Sequence, residues 1–403
     1  MRVLFTTWNS PSHLFPMVPL MWAFQAAGHQ VRVAGPPSCE KWVAGAGMTA
    51  VTVGKDLDMG GELTQNAIVP LNQQPRWPSD WMVRPDDLDE RQHAMLVRLA
   101  DKNFAVADAM LDDLVEFARD WRPDLVVYDT TCYAGAVVAA VLDVPAYSHM
   151  WGTGAPVRNE MSRLGDVPLP GFAALFERFG VAPRPNPVAW LDPAPPGMQL
   201  PTPGTRIDLR FVPYNGGGEV PRWLLRPAAR PRVCLSWGVV TNRVTGEVAS
   251  AELRLVLDAV AGLDADVVLA AAHVPDDFAA VLPDNVRAVE SVPLNAWLPG
   301  CDAIVHHGGG GTTLVATWAG IPQLIISGRP VYALTGDRVS AAGAGVHRGH
   351  DEIAAVDDRV GLLRSDIAAL LTTPAYGAAA RELAAQIRAR PALDETVRKL
   401  TVG

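Results

Sequence analysis

The sequence predicts an α/β protein built from two doubly wound parallel-sheet domains. Short apolar strands alternate with helical stretches, the alternation begins again near residue 232, and a segment rich in proline and glycine separates the two series. A chain of 403 residues is also longer than one compact core usually spans. We divide it into a first domain at 1–210, a linker at 211–231, a second domain at 232–383 and a helical tail at 384–403.

The first domain opens with a strand, a helix and a second strand. Apolar runs predict strands at 3–7 and 31–34, and between them apolar residues recur at helical spacing over 18–27. The pattern returns at 124–128, a buried strand that is followed by an apolar helix at 134–142. Strands that alternate with helices form parallel sheets, which place ligands at the carboxyl ends of their strands.

The second domain repeats this arrangement. Its strands are predicted at 233–238, 266–270, 286–289, 303–306 and 323–326. Two long stretches of the first domain, 55–89 and 157–205, have no periodicity. Insertions of this length are more often functional loops than plain connections, so we expect them to take part in binding.

Composition and charge argue against several classes of protein. There are 34 lysines and arginines against 43 acidic residues, whereas proteins that bind nucleic acid through its phosphates carry basic surfaces. No run of about 18 apolar residues predicts a membrane span. The four cysteines stand singly in apolar stretches, which indicates buried thiols in a reducing compartment. We therefore expect a soluble cytoplasmic enzyme that binds neither nucleic acid nor membrane.

The clearest local signal is the run His-His-Gly-Gly-Gly-Gly-Thr-Thr at 306–313, between a predicted strand and a predicted helix. Glycines there let backbone N–H groups approach a ligand, and the helix N-terminus adds partial positive charge. Both features favour a phosphate group. The run lacks the lysine of a P-loop and the GxGxxG spacing of dinucleotide-binding folds. The alternative interpretation is a glycine-rich turn without a ligand.

This run resembles the donor-diphosphate motif of the inverting family 1 glycosyltransferases of antibiotic biosynthesis, which have the GT-B fold. Other segments carry the same resemblance: 12–20 is similar to the N-terminal loop of the family, 27–31 to its AAGHEV signature, 122–126 to its RPDLV sequence and 320–323 to the segment after the donor motif. The resemblance covers nearly the whole chain. It implies two Rossmann-like domains that face each other across a cleft, the first binding the acceptor and the second the nucleotide-sugar.

The resemblance also implies roles for individual residues. His13 corresponds to the general base of the family and Asp129 to the acid that orients it. The donor-binding positions correspond to Gly238, Val292, His307, Gly310, Gly311 and Thr312. Among these, Val292 would read the base and Gly238 would approach the phosphates, while His307 and the last three would hold the diphosphate.

The residue types themselves support the pairing of His13 with Asp129. Sugar transfer requires that a hydroxyl lose its proton as it attacks, and histidine titrates near neutrality. Both residues follow predicted strands of the first domain, so both can face one cleft. A carboxylate behind the imidazole would fix its tautomer. The alternatives are an exposed loop histidine and an aspartate that caps the following helix.

We expect a TDP-deoxysugar as the donor. Many family members carry Asp-Gln or Glu-Gln after the segment at 320–323 to bind sugar hydroxyls, whereas this chain has Ser-Gly-Arg-Pro at 327–330. Such a pocket favours a sugar with fewer hydroxyls, because polar groups left unpaired cost binding energy. The Asp-x-Asp sequences of the chain lie away from the glycine run, so we expect no catalytic metal, and no cofactor.

Apolar residues in and near the irregular loops predict the acceptor site. The candidates are Met59, Trp77, Trp81, Met82, Met150 and Trp151. A large polyketide aglycone suits such a wall, and the alternative is that these residues cover the domain core. Segments 211–216 and 232–235 are similar to members of macrolide and anthracycline pathways, some of which depend on an auxiliary protein of cytochrome-P450-like fold. We expect such an activator, and the sequence leaves a homodimer open.

The predicted function is inverting, metal-independent transfer of a deoxysugar to a hydrophobic natural-product aglycone. Three other interpretations stay open. A nucleotide-sugar 2-epimerase shares the fold but needs no apolar acceptor loops. A phosphorylase of this fold needs a lysine for pyridoxal phosphate, and none of the four lysines lies beside the glycine run. An inactive homologue that binds the nucleotide-sugar or activates a partner would not need both His13 and Asp129.

Overall fold

The computed structural model describes residues 1–58, 61–72, 74–78, 80–154, 157–237, 247–274 and 282–402, with the backbone alone at 247–250. Two parallel sheets covered by helices make up this part of the chain. The candidate donor residue Gly238 and the candidate acceptor residue Met59 lie outside the described residues, so both stay predictions.

The strands of the first sheet are β1 (Arg2–Thr6), β2 (Gln30–Gly35), β3 (Ala50–Thr52), β4 (Leu125–Asp129), β5 (Ala146–His149), β6 (Ala189–Asp192) and β7 (Arg206–Asp208). Within the described residues they pair in parallel in the order β3-β2-β1-β4-β5-β6-β7. Both faces of the sheet are buried: Leu4 belongs to one apolar cluster, and Val3 and Phe5 belong to another. This two-sided burial explains the apolar runs of the central strands β1 and β4.

The strands of the second sheet are β8 (Arg232–Ser236), β9 (Asp266–Ala271), β10 (Val286–Glu290), β11 (Ala303–His306), β12 (Gln323–Ser327) and β13 (Gly345–Gly349). They pair in parallel, and their order among the described residues is β10-β9-β8-β11-β12-β13. The predicted pair of doubly wound parallel sheets is thereby confirmed. All four cysteines are buried free thiols.

The helices of the first domain are α1 (Pro11–Leu14), α2 (Val18–Ala26), α3 (Glu40–Gly45), α4 (Glu62–Ile68), α5 (Glu90–Trp121), α6 (Ala134–Leu142) and α7 (Pro170–Glu177). The longest, α5, begins with a capping box in which Asp89 and Gln92 each accept a hydrogen bond from the backbone N–H of the other, both at 2.8 Å. Neither α5 nor any other helix in the described ranges is both long enough and apolar enough to cross a membrane.

The remaining helices are α8 (Glu247–Val260), α9 (Gly310–Ala319), α10 (Pro330–Ala341), α11 (His350–Ala354), α12 (Arg359–Thr372), α13 (Pro374–Arg388) and α14 (Leu393–Thr401). The last helix packs on the first domain, where Val397 and Leu400 join the apolar cluster around Phe5. Just before it, the buried Arg390 donates to the carbonyl oxygens of Asp192 (2.7 Å) and of Leu209 (2.9 Å). The domain boundaries themselves stay a prediction.

Candidate functional site

His13 and Asp129 meet at the carboxyl edge of the first sheet. Asp129 ends β4 and is fully buried, and His13 lies in α1, just after the loop that leaves β1. The Nδ1 atom of His13 is 2.8 Å from Oδ2 of Asp129. Because a carboxylate accepts, this bond places the imidazole proton on Nδ1. The Nε2 atom is then the position at which His13 can take a proton from a substrate.

Thr131 holds the other oxygen of the Asp129 carboxylate. Oδ1 accepts a hydrogen bond from the Thr131 backbone N–H at 2.9 Å and from its hydroxyl at 2.6 Å. Both carboxylate oxygens therefore have partners, which fixes the side chain behind the imidazole. The helix that follows, α6, has Tyr133 at its N-cap and no side-chain cap, so Asp129 is not its N-cap.

Two tryptophans flank the imidazole of His13. The ring centroid of Trp8 lies 5.0 Å from that of His13, and the ring centroid of Trp151 lies at 5.2 Å. Trp151 also reaches the second domain, because a Cβ added at Gly310 would lie only 2.8 Å from its Cε3 atom. The predicted acceptor residue Trp151 therefore lies beside the candidate base, and Trp8 is a neighbour that the sequence did not indicate.

The other candidate acceptor residues lie elsewhere. Met150, which directly follows β5, is fully buried in a small cluster with Trp190, against which Trp151 packs. Trp77 and Trp81 are buried in an apolar cluster with Leu334 of α10, and the half-buried Met82 packs against the same cluster. These three residues thus fill a contact between the two domains in this conformation. Their role in acceptor binding stays a prediction.

The glycine run forms a tight turn between β11 and α9. Gly308 has φ of +88°, and a Cβ there would lie 3.0 Å from Ile325 and 3.2 Å from the Cβ of Tyr332, so a larger residue would be strained. The N-cap residue Gly309 offers no side chain to the helix. The first N–H groups of α9, which include those of Gly310, Gly311 and Thr312, have no partner inside the helix and present its positive end.

His307 lies over this turn. A Cβ at Gly309 would be 2.9 Å from the Nε2 atom of His307, and the ring of Tyr332 lies 5.4 Å from its ring. Burial lowers the pKa of His307, and the nearby His306 and Arg329 lower it further. The imidazole is therefore neutral. The backbone of Ser236 acts on the pKa of the imidazole in the opposite direction, and no ring nitrogen of His307 has a well-aligned hydrogen bond among the described residues, so the ring keeps polar capacity for a ligand.

His306 stabilises the glycine turn through hydrogen bonds, a role that the sequence did not indicate. Its Nε2 lies 2.9 Å from Oε1 of Gln323, and its Nδ1 accepts the backbone N–H of Gly308 at 3.1 Å. The amide nitrogen of Gln323 donates in turn to the Thr317 hydroxyl at 3.0 Å. Burial lowers the pKa of His306 to about 4, so it is neutral, with its proton on Nε2. The two adjacent histidines at 306 and 307 were the feature of the sequence that could have indicated this role.

Arg329 is a cationic residue at the turn, and the sequence did not indicate it either. It precedes α10, its guanidinium lies 5.2 Å from the Tyr332 ring centroid, and its Nη1 donates to the Tyr332 hydroxyl at 3.2 Å. Its Nε donates to Oδ1 of Asn72 in the first domain. The Nη2 atom is buried and has no partner within the part of the chain that the structure describes.

Val292, the candidate base-reading residue, is half-buried in the loop after β10. The linker supports this loop, since Oδ1 of Asn215 accepts the backbone N–H of Asn295 at 3.0 Å. Among the described residues, no group of three or more His, Cys, Asp or Glu could hold a metal ion. Independence from metal and cofactor stays a prediction.

Known proteins share this architecture over the full chain. The crystal structure of the glycosyltransferase VinC in complex with dTDP superposes with a TM-score of 0.80 at 33% identity, covering 100% of this chain and 99% of that one. This match confirms the GT-B fold.

Two enzymes of known activity are also similar. Tylactone mycaminosyltransferase of Streptomyces fradiae is 33% identical over 91% of this chain and 85% of its own length. The 3-alpha-mycarosylerythronolide B desosaminyl transferase of Saccharopolyspora erythraea is 33% identical over 98% of this chain and 97% of its own. Residues 22–238 and 254–402 match the N-terminal and C-terminal domains of the family described as erythromycin biosynthesis protein CIII-like. The chain is a glycosyltransferase and belongs to this family.

Proposed function

We propose that the protein transfers a deoxysugar from TDP to a polyketide aglycone with inversion at the anomeric carbon. One observation carries the proposal. Trp151 lies beside the His13–Asp129 pair of the first domain and also touches Gly310 at the uncapped N-terminus of α9 in the second. A base and an anion site face each other where a sugar must bridge acceptor and leaving group.

In the proposed reaction, the acceptor hydroxyl donates a hydrogen bond to Nε2 of His13. The hydroxyl oxygen attacks the anomeric carbon from the face opposite the diphosphate as its proton passes to Nε2. The bond between the anomeric carbon and the phosphate oxygen breaks, and its electron pair leaves with TDP. Asp129 keeps the imidazole in the productive tautomer and stabilises its charged form. One displacement at one carbon inverts its configuration.

The second domain would stabilise the departing diphosphate without a metal. His307 and the N–H groups of the first turn of α9 supply hydrogen-bond donors, and the Thr312 side chain adds a hydroxyl. Arg329 supplies the positive charge, since its buried Nη2 has no protein partner in the described residues and its guanidinium lies close enough to lower the pKa of His307.

The residues near β12 support a donor with few hydroxyls. Ser327 shares a hydrogen bond of 2.8 Å with Nε2 of His347, and Nδ1 of His347 lies 2.8 Å from Asp337. This hydroxyl is therefore already engaged within the protein. TDP is favoured because a relative was solved with dTDP, and Val292 would contribute its backbone to reading the base.

A hydrophobic acceptor is supported by Trp8 and Trp151, which form aromatic walls on two sides of His13. The relatives named above act, by their names, on tylactone and 3-alpha-mycarosylerythronolide B. An auxiliary protein of cytochrome-P450-like fold and a homodimer belong to the proposal as further partners. Turnover by the purified chain alone would exclude an obligatory activator.

Calorimetric titration with TDP, UDP and GDP in the presence of a chelator tests the donor site first. We expect tight binding of TDP that is lost in His307→Ala and kept in His13→Ala, because only the first variant changes the anion site. Turnover of a TDP-deoxysugar with polyketide acceptors should then be abolished in His13→Ala. Failure of every diphosphate to bind would contradict the proposal, whereas binding without turnover would favour an inactive nucleotide-sugar-binding homologue.

A further inference from the structure

Lys102 is a buried lysine that forms no ion pair within the described residues. It lies on α5 and is 3% exposed. Within the described residues it forms no hydrogen bond and no ion pair, and its Nζ lies 4.1 Å from the ring centroid of Trp8. The chain has four lysines among its 34 basic residues, so a lysine at this buried position is unusual.

A buried charge without a partner weakens a folded protein, because the group loses its hydration and gains little in return. Burial lowers the pKa of Lys102 to about 8, while the negative charge of Asp129 acts in the opposite direction. Unpaired charges of this kind are concentrated at functional sites. Asp129 acts on Lys102 only through space, because its carboxylate oxygens contact His13 and Thr131 and no hydrogen bond or ion pair joins it to Lys102.

The position of Lys102 connects it with the candidate base. Trp8 contacts Lys102 through its ring face and contacts His13 edge-on, so the ammonium and the imidazole share one indole. The indole Nε1 of Trp8 is also buried without a partner in the described part of the chain. Two donors, one of them charged, thus lack an acceptor beside His13.

Resting on the function proposed above, we propose that Lys102 binds a negatively charged oxygen of the acceptor, a phenolate or enolate, beside the hydroxyl presented to His13. An ammonium group matches an oxygen that carries charge, and the flat rings of Trp8 and Trp151 match an aromatic ring system. The site therefore selects aromatic polyketides with an acidic hydroxyl over neutral macrolactones.

A pair of matched ligands tests this assignment on the full chain. The probes are 1,2-dihydroxyanthraquinone and its dimethyl ether, titrated calorimetrically at about pH 7.5, where the phenol acidified by the quinone carbonyl is ionised and most of the Lys102 side chains are charged. We expect the wild type to bind the phenol about 10-fold more tightly than the ether, the gain typical of a hydrogen bond between charged groups.

Two variants localise the effect. Lys102→Met should remove the preference for the phenol and raise Tm by about 2–4 °C, because an unpaired buried charge disappears. The control Lys41→Met removes an exposed lysine that lies 4.8 Å from the ring of Trp42, and it should keep both the preference and the Tm of the wild type. TDP binding, measured in parallel, shows that each variant is folded.

The outcomes separate this inference from the proposed function. A wild type that binds TDP but shows no preference for the phenol overturns the role of Lys102, as does a Lys102→Met variant that keeps the preference. A wild type that binds no TDP overturns the proposed function itself. If Lys102→Met has a higher Tm and no longer prefers the phenol, the result supports the proposal that Lys102 serves ligand binding and lowers stability.

Discussion

Trp151 and Gly310 touch across the two domains. A Cβ on Gly310 would lie 2.8 Å from Cε3 of Trp151 and 3.0 Å from its carbonyl oxygen, whereas a Cβ on the neighbouring Gly311 would have nothing within 4 Å. The approach of the other domain, rather than the backbone conformation of the turn, therefore demands glycine at position 310. The same tryptophan contacts His13, so this contact sets the separation between the proposed base and the proposed anion site.

Gly310→Ala should therefore impair catalysis more than Gly311→Ala. The new methyl group would push Trp151 away, at an overpacking cost of about 1–3 kcal/mol, and we expect kcat/KM to fall by roughly 10- to 100-fold. Gly311→Ala keeps the backbone N–H and meets no neighbour, so its kinetics should match those of the wild type. Steady-state kinetics of the two variants test this, and equal losses would contradict it.

Asp129→Asn should abolish most of the activity and leave the donor site intact. The amide cannot hold the proton on Nδ1 of His13 as the carboxylate does, so the imidazole loses its productive tautomer. We expect kcat to fall by about 10²- to 10⁴-fold and the Kd of TDP to stay unchanged.

The double variant Asp129→Asn/His13→Ala should have a kcat only slightly below that of the more impaired single variant, because the two residues act as one unit. Single-turnover kinetics and calorimetry on the two single variants and the double variant measure this. Additive losses, or an Asp129→Asn enzyme within about 3-fold of the wild-type rate, would remove the pair from the mechanism.

Much of the fold could be predicted from local patterns. The buried strand 303–306 and the helix 134–142 have the predicted bounds, because long apolar runs and clear helix ends leave little choice. The strands β3 and β7 were missed since three residues at a sheet edge show no pattern. The long helix α5 was missed although Asp89 and Gln92 provide a capping-box signal, because many charged residues obscure its apolar stripe.

Residues of the candidate site could be predicted only where they belong to a recognisable sequence motif. His13 and Asp129 were identified from the family resemblance, and in the structure Nδ1 of His13 lies 2.8 Å from Oδ2 of Asp129. Lys102 and Arg329 were not identified, since what distinguishes them is visible only in the fold: within the described residues Lys102 forms no ion pair, and the Nη2 atom of Arg329 is buried without a hydrogen-bond partner. Arg329, for example, meets Asn72 across 257 positions of sequence, a contact that no local pattern encodes.

Arg329→Gln should weaken the binding of TDP but not of thymidine. The variant removes the positive charge beside His307, and the loss of one charged contact with a phosphate corresponds to about a 10-fold rise in Kd. Thymidine lacks phosphate groups, so its binding should not change.

Arg338→Gln provides the matched control for this variant. Like Arg329, Arg338 joins the domains, donating to Asp80 at 3.0 Å, but it lies in the body of α10 rather than at the glycine turn. We expect it to bind TDP as the wild type does. Equal weakening by both variants would mean that Arg329 acts by holding the domains together, and its assignment to the diphosphate would be withdrawn.

The glycine turn should make the second domain sensitive to acid. His306 has its pKa lowered by burial to about 4, below the value of about 6.5 in an unfolded chain. Between these two values the unfolded state binds a proton that the native state excludes. Stability should therefore be complete above about pH 6.5 and should fall as the pH drops towards 4, by at most about 1.4 kcal/mol per pH unit.

The comparison of wild type with His306→Asn isolates this contribution. Asparagine does not titrate, and its side-chain oxygen can still accept the N–H of Gly308. Other buried groups titrate in the same range: burial lowers the pKa of His149 to about 4 and raises that of Asp192 to about 6, with opposite effects on stability. Their contributions cancel in the difference between the two proteins. Denaturant unfolding at several pH values should show that the wild type loses more stability on acidification than the variant, and parallel curves would refute the role of His306.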